Sequence, residues 1–194
     1  MKFSVDGVKP SFASALRRIM ISEIPTMAIE FVDFKRNDSA IPDEVVANRM
    51  GLIPLTFDEK MYRMKKDCKC EGKGCSGCQV SLVLKKKGPA IVYSGDMKST
   101  DKSVQPVYDK IPITELFEGQ AIEFEATAQL GVGRDHAKWQ GAVVGYKLED
   151  NKKDSFVFNV ESISGIEVGQ LVTRSAEILE AKFDEFGKSV KKLK

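Results

Sequence analysis

Four cysteines are the residues of this chain whose type and spacing point most directly to chemistry. They are the only cysteines among 194 residues, and Cys68, Cys70, Cys75 and Cys78 all lie in the lysine- and glycine-rich run KKDCKCEGKGCSGC. The glycines at positions 72, 74 and 77 allow the backbone to turn sharply enough for four sulfur atoms to converge on one cation. The pattern predicts a structural zinc site with four thiolate ligands.

Three other uses of these thiols compete with zinc. Two disulfides are less favoured, because no apolar signal segment precedes Val5 and we expect a reducing cytosol. Cys75 and Cys78 form a CxxC pair, but redox pairs of this type open a helix, whereas this one leads into the strand-like run 79–84. An iron–sulfur cluster also takes four thiolates. Structural zinc is the favoured interpretation.

Composition bounds the class of protein. The chain is 42% hydrophobic and 30% charged, with a formal net charge of +2, so it has enough apolar residues for one large domain or two small ones. No overall electrostatic field would draw it to nucleic acid or to an anionic membrane, and any such binding would be local. No apolar run is long enough to cross a bilayer. We expect a cytoplasmic globular protein without a membrane partner.

Hydrophobic spacing predicts the elements of the first quarter of the chain. Apolar residues at helical intervals over 12–20 predict a first helix, which Ser11 caps. Alternation predicts a strand over 27–34. A second helix is predicted from Pro42 to Gly51.

The middle of the chain has the alternating pattern of strands. The predicted strands lie at 52–57, 79–84, 91–94, 121–130, 142–148 and 156–160. In the longest of them, one face is apolar and the other is polar, so one side of its sheet is expected to be buried. The turn at Gly131 and Gly133 predicts that 142–148 returns as the hairpin partner of 121–130.

The last predicted element is a long amphipathic helix that begins at Val168. Its apolar stripe includes Leu171, Ile178, Leu179, Phe183 and Phe186. A stripe of this length offers more apolar surface than a small fold easily covers. We expect part of it to pack on the chain's own sheet and part to pack against a helix of a partner.

Three motifs resemble the signatures of a known family. They are FASALRRIMISEIPTMAI at 12–29, EVVANRMGLIPL at 44–55 and GVGRDHAKW at 131–139. In this order they resemble the alpha-like subunits of multisubunit RNA polymerases, and among them the archaeal D subunits. The resemblance extends over most of the chain.

The resemblance implies an α+β fold made of discontinuous pieces. Residues 1–35 and 155–194 would form an alpha-like dimerisation domain, and 36–154 would form an inserted, mostly β domain that carries the four-cysteine loop at 65–79. The eukaryotic counterpart has a zinc loop with similar cysteine spacing, which supports zinc a second time. Some archaeal members carry an additional iron–sulfur domain, but this chain, with four cysteines in one compact loop, is not expected to hold such a cluster.

The function that the resemblance implies is assembly, without catalytic residues of its own. The dimerisation domain would pair with a small alpha-like subunit, called L in archaea, and the pair would form the platform for the two large catalytic subunits and small assembly subunits of a DNA-dependent RNA polymerase. Direct sequence-specific DNA binding is not expected.

Individual residues receive roles from the same resemblance. Contacts with the large subunits are expected from Arg17, Arg18, Arg49, His136, Lys138 and Trp139, although paired arginines on a helix are often only solvated and Trp139 can instead fill the core. The partner helix is expected to cover Leu171, Ile178, Leu179, Phe183 and Phe186.

Two functions from other classes compete with assembly. A free-standing zinc-ribbon protein would bind nucleic acid through the lysine-rich cysteine loop, although that loop lacks the aromatic residues on which bases stack. A dithiol oxidoreductase would use Cys75 and Cys78, and would need a reactive thiolate.

Overall fold

The computed structural model describes residues 1–150 and 152–192 and has a mixed α+β architecture. The chain divides into two compact units. The first combines Met1–Thr26 with Val132–Lys194, and the second is the continuous segment Met27–Gly131, which contains the cysteines. The predicted fold class, α+β with a β-rich insert that carries a cysteine loop, is therefore confirmed.

Three α-helices and nine strands make up the main elements of the described residues, beside three short 3-10 turns. In chain order they are β1 (Lys2–Asp6), α1 (Pro10–Ser22), β2 (Thr26–Asn37), α2 (Asp43–Gly51), β3 (Gln79–Lys87), β4 (Ala90–Tyr93), β5 (Lys98–Ser99), β6 (Pro112–Leu116), β7 (Ala121–Gly131), β8 (Ala142–Leu148), β9 (Ser155–Ser162) and α3 (Val168–Lys191).

The first unit is an antiparallel sheet with two helices packed on it. Its strand order is β1-β9-β8, and Phe3 stacks on the fully buried Phe158 at a ring separation of 5.2 Å. Helix α1 begins with Pro10, whose missing N–H has no hydrogen-bond partner to lose in a first turn. Leu16 and Met20 of α1 are buried, and α1 packs against α3 and β8. These contacts fix the first turns of α3.

The second unit is built on a four-stranded sheet of order β2-β7-β3-β5. Strands β3 and β7 pair from Gln79 opposite Gln129 to Lys87 opposite Ala121. The apolar alternation of β7 directs Ile122, Phe124 and Ala126 into the core, and the short ribbon β4-β6 and helix α2 complete the unit. This core supports the cysteine loop, which leads directly into β3.

Several local predictions are wrong, and each has a physical reason. Residues 52–57 do not form a strand apart from a single bridge at Leu55, because Pro54 has no N–H to donate to a ladder. Strand β8 pairs with β9 and not with β7, because the loop after β7 carries the chain into the first unit. Lys9, and not Ser11, is the N-cap of α1.

The boundaries of the two units differ from the expected domain limits at 35 and 154. They lie after Thr26 and after Gly131. Almost all of β2 belongs to the second unit because β2 joins the sheet beside β7, and β8 belongs to the first unit because it pairs with β9. No helix within the described residues combines the length and apolar character that a membrane span requires.

Candidate metal centre and contact surfaces

The four cysteine sulfurs converge in the second unit. The Sγ atoms of Cys68 and Cys75 are 3.5 Å apart, those of Cys70 and Cys78 are 3.6 Å apart, and those of Cys75 and Cys78 are 3.9 Å apart. All four lie within 4.8 Å of one another. Zinc bound to thiolates at about 2.3 Å in a tetrahedron holds its sulfurs about 3.8 Å from each other. The donor set therefore fits a single tetrahedral cation.

The fit is poorer for an iron–sulfur cluster. The cysteines of such a cluster are divided among two or more iron atoms, so sulfurs that bind different irons must stand further apart than around one ion. Sulfurs that all lie within 4.8 Å enclose the space of one atom. The geometry favours a mononuclear site.

Backbone conformation brings the sulfurs together. Gly72 and Gly74 have φ values of 80° and 92°, which only glycine adopts without strain. Gly77 also lies in a turn, which the hydrogen bond from the Cys78 N–H to the Cys75 carbonyl closes, but its φ is not positive, so this turn does not require glycine. At the neck of the loop, the Arg63 N–H donates to the Gly77 carbonyl at 2.9 Å. Cys78 is buried immediately before β3, which fixes one ligand beside the sheet.

The pKa values of Cys70 and Cys78 are shifted in opposite directions. The Cys68 thiol, with smaller contributions from other neighbours, lowers the pKa of Cys70 to about 6. Burial is the main cause that raises the pKa of Cys78 to about 12. Four adjacent thiols cannot all ionise against one another, whereas a divalent cation deprotonates the thiols that coordinate it. A buried thiol with a raised pKa also disfavours Cys78 as part of a reactive dithiol.

A tyrosine that sequence reasoning missed anchors the neck of this loop. Tyr62 is buried, and its hydroxyl donates to the Asp101 carboxylate at 2.5 Å. Burial, together with this hydrogen bond, raises the pKa of Tyr62, and the same bond lowers the pKa of Asp101. The two residues are 39 positions apart, so no local pattern could have paired them.

The three arginines expected at the large-subunit interface have different surroundings. The Arg17 Nε–H donates to the Val144 carbonyl of β8 at 2.9 Å, and Arg49 Nη1 donates to the Ile113 carbonyl of β6 at 2.9 Å. Arg18 is exposed, and no side-chain ion pair or hydrogen bond is found for it within residues 1–150 and 152–192. Two of the arginines therefore hold their own unit together, whatever else they contact.

The loop of the third motif is held against the end of α1. The Arg134 N–H donates to the Ser22 carbonyl at 3.0 Å. Trp139 is buried, with 7% of its surface exposed, so it fills the core of the first unit and offers little surface to a partner. The Lys138 ammonium lies 4.5 Å from the centre of the Trp139 ring, and the exposed His136 packs edge-on against the same ring.

Helix α3 changes character along its length. Leu171 and Leu179 are buried in the chain's own unit, at 0% and 8% exposure, and Ile178 is half-buried. Phe183 and Phe186 are 63% and 67% exposed. The expectation that Leu171 faces a partner is wrong, because α1 and β9 already cover the first turns of α3. Only the last turns present a free apolar surface.

Glu23 joins three elements beside this surface, and sequence reasoning did not single it out. Its Oε1 lies 3.0 Å from Lys182 Nζ of α3 and 3.6 Å from Arg134 Nη1 of the motif loop. The carboxylate therefore links the end of α1 to α3 at the turn where the exposed aromatic residues begin. A glutamate close to Pro25 in sequence carries no signal of such a role.

Comparison with known proteins relates the sequence of this chain to a family. The family model of the RNA polymerase Rpb3/RpoA insert domain matches residues 29–145. The chain is similar to the DNA-directed RNA polymerase subunit Rpo3 of Methanothermobacter thermautotrophicus, with 50% identity over 143 residues, 72% of this chain and 54% of the relative.

Two further relatives carry the same name. Subunit Rpo3 of Thermococcus kodakarensis is 46% identical over 147 residues, which cover 76% of this chain and 54% of the relative. That of Archaeoglobus fulgidus is 43% identical over 149 residues, 76% of this chain and 56% of the relative. The matched part of the chain thus spans a little more than half the length of these relatives.

Proposed function

Because the chain belongs to the Rpb3/RpoA family of RNA polymerase subunits, we propose that it is a non-catalytic assembly subunit of a multisubunit DNA-dependent RNA polymerase. In this role its first unit pairs with a small alpha-like subunit, L, and the pair forms the platform for the two large catalytic subunits. Since the relatives are archaeal polymerase subunits, the role implies a cytoplasmic protein. The family match on both sides of the cysteine loop argues against a free-standing zinc-ribbon protein.

The observation that carries the pairing proposal is the exposed end of α3. Phe183 and Phe186 lie on one side of the helix with Val190, which is 41% exposed. Burying an exposed phenylalanine contributes about 1.5–3 kcal/mol, so two of them supply a useful part of the free energy of association. Obligate interfaces are large and core-like, and an apolar helix of a partner would complete this surface.

Co-expression with a candidate L subunit tests the pairing. We expect the wild-type chain to form a one-to-one complex, measured by mass after size exclusion, and the variant Phe183→Ser/Phe186→Ser to lose it. Phe117→Ser is the matched control, because Phe117 is 58% exposed but lies in the second unit. A wild-type chain that stays monomeric with L, or a double variant that still forms the complex, would contradict the proposal.

Contacts with the large subunits are proposed for polar side chains of the first and third motifs that reach the surface. Arg18 on α1 and His136 on the loop that is bonded to its end are exposed, and Lys138 is half-buried over the Trp139 ring. Arg17 and Trp139 are held inside the unit. We assign Arg18 and Lys138 to direct contacts and Arg17, Arg49 and Trp139 to positioning. Reconstitution with the large subunits should separate the two groups.

Zinc is the proposed occupant of the four-cysteine site. Cys68, Cys70, Cys75 and Cys78 would hold it as thiolates, and it would supply order to a loop that has almost no apolar side chains of its own. We expect one zinc per chain by elemental analysis, and less than about a tenth of that in Cys70→Ser/Cys75→Ser. Iron with visible absorbance in anaerobically purified protein would contradict a zinc site.

A further inference from the structure

Lysines outnumber carboxylates at one place on the exposed face of the four-stranded sheet. A cavity of about 300 Å³ lies there, and Lys35 of β2, Lys85 of β3 and Lys98 of β5 line it together with Glu123 of β7. These residues come from all four strands of the sheet. The volume is at the lower end of the range for ligand sites.

The lysines of the cavity outnumber its available carboxylates. Lys85 pairs with Glu123 at 2.7 Å. The other carboxylate that lines the cavity, Asp96, is taken by Lys86 at 2.5 Å and by the Tyr93 N–H at 2.8 Å.

Lys35 and Lys98 have no ion-pair partner in the part of the chain that the structure describes. Glu123 responds to the surrounding charge, since Lys85, and more weakly Lys35 and Arg36, lower its pKa. Both carboxylates are thus held in closer pairs, Glu123 with Lys85 and Asp96 with Lys86, so Lys35 and Lys98 line the cavity without an ion pair of their own.

We propose that this cavity is a docking site for an acidic polypeptide segment of another protein. Carboxylate side chains of such a segment would pair with Lys35 and Lys98, and the exposed Val83, which lines the same cavity, would contact its apolar atoms. A cavity of this volume admits side chains but not a nucleic-acid duplex, and the chain's net charge of +2 gives no general attraction for nucleic acid. The proposal depends neither on a metal at the cysteine site nor on the assembly role.

Fluorescence anisotropy of a labelled octaglutamate peptide tests the proposal on the full-length chain at low salt. We expect Lys35→Gln/Lys85→Gln/Lys98→Gln to weaken binding about tenfold, as three exposed charge contacts would. The control Lys60→Gln/Lys102→Gln/Lys110→Gln has the same change in charge on exposed lysines of the same unit, and should weaken binding less than about threefold.

A second variant acts in the opposite direction. Glu123→Gln removes a carboxylate that competes for Lys85, so it should strengthen peptide binding about two- to fivefold, which a loss of structure would not do. Equal losses in the two lysine triple variants, no gain in Glu123→Gln, or displacement of the peptide by a DNA duplex at lower concentration than by unlabelled octaglutamate would each overturn the proposal.

Discussion

Substitution of the two neighbouring arginines of α1 should distinguish an effect on stability from an effect on docking. Arg17→Ala removes the hydrogen bond from Nε–H to the Val144 carbonyl, 2.9 Å long and partly buried. Hydrogen bonds from charged donors contribute about 1.5–3 kcal/mol. Because Arg17 is only half-buried and β8 is an edge strand, water can replace the lost donor in part. We expect the free energy of unfolding of the first unit to fall by about 1–2 kcal/mol.

Urea unfolding followed by tryptophan fluorescence measures this change in the correct unit. Trp139 is the only tryptophan of the chain and is buried in the first unit, so its emission reports that unit alone. Arg18→Ala is the matched control, since Arg18 is exposed on the same helix and its loss should change stability by less than about 0.5 kcal/mol.

For docking of a large subunit, we expect the Arg18 substitution to have the larger effect and the Arg17 substitution the smaller one. Arg18→Ala should reduce co-purification of a large subunit while leaving the urea midpoint unchanged, and Arg17→Ala should reduce it only as far as the first unit is destabilised. If the two variants had the same urea midpoint, or if Arg18→Ala were the less stable, the assignment of Arg17 to the fold and Arg18 to the contact would be refuted.

Three other substitutions test a close backbone approach, the Tyr62–Asp101 hydrogen bond and the order of the cysteine loop. Gly133→Ala should destabilise the first unit by about 1–3 kcal/mol, because the added Cβ would lie 2.4 Å from the Ile21 carbonyl oxygen. Gly145→Ala is the control: its added Cβ meets no atom within 4 Å, so it should be nearly neutral in the same urea assay. Tyr62→Phe should lower stability most between about pH 5 and 9. The hydrogen bond to Tyr62 lowers the pKa of Asp101, so its contribution to stability is complete above the ordinary aspartate pKa near 4 and is lost in acid. The pKa of Tyr62 is raised, so the contribution of the tyrosine is complete below the ordinary tyrosine pKa near 10 and is lost in base. Urea midpoints by circular dichroism across pH measure this, and a difference that does not change with pH would count against the Tyr62–Asp101 bond. Cys78→Ser should make the lysines of the cysteine loop rapidly cleavable by trypsin, and a variant as resistant as the zinc-loaded wild type would show that metal does not order the loop.

Strong periodicity and motif spacing predicted most of the fold. The alternating run that became β7 and the helical spacing of α1 appear within about three residues of their expected limits, since both patterns record burial on one side. The convergence of the cysteines was predictable for a related reason, because four ligands within eleven positions can meet only through local turns.

Pairings between distant segments were not predictable. Nothing near β8 in sequence indicates that it pairs with β9 and not with β7, and the hydrogen bond from Arg17 to β8 joins residues 127 positions apart. The apolar stripe of α3 could not be divided from the sequence for the same reason. Its helical spacing is continuous, but the point at which the first unit stops burying it depends on the length of α1 and of the sheet. Periodicity marks an apolar face without showing which part of it is already buried.

The internal contacts of polar side chains decide which motif residues remain free to act. Arg17 and Arg49 use guanidinium donors on backbone carbonyls of their own units, and Glu23 holds cations from two other elements. Such groups cannot reach a partner without first breaking a bond that the isolated chain already has, so a mutation there mixes folding with binding. Arg18 has no comparable side-chain bond among the described residues, and a loss of assembly in its variants can be attributed to the contact itself.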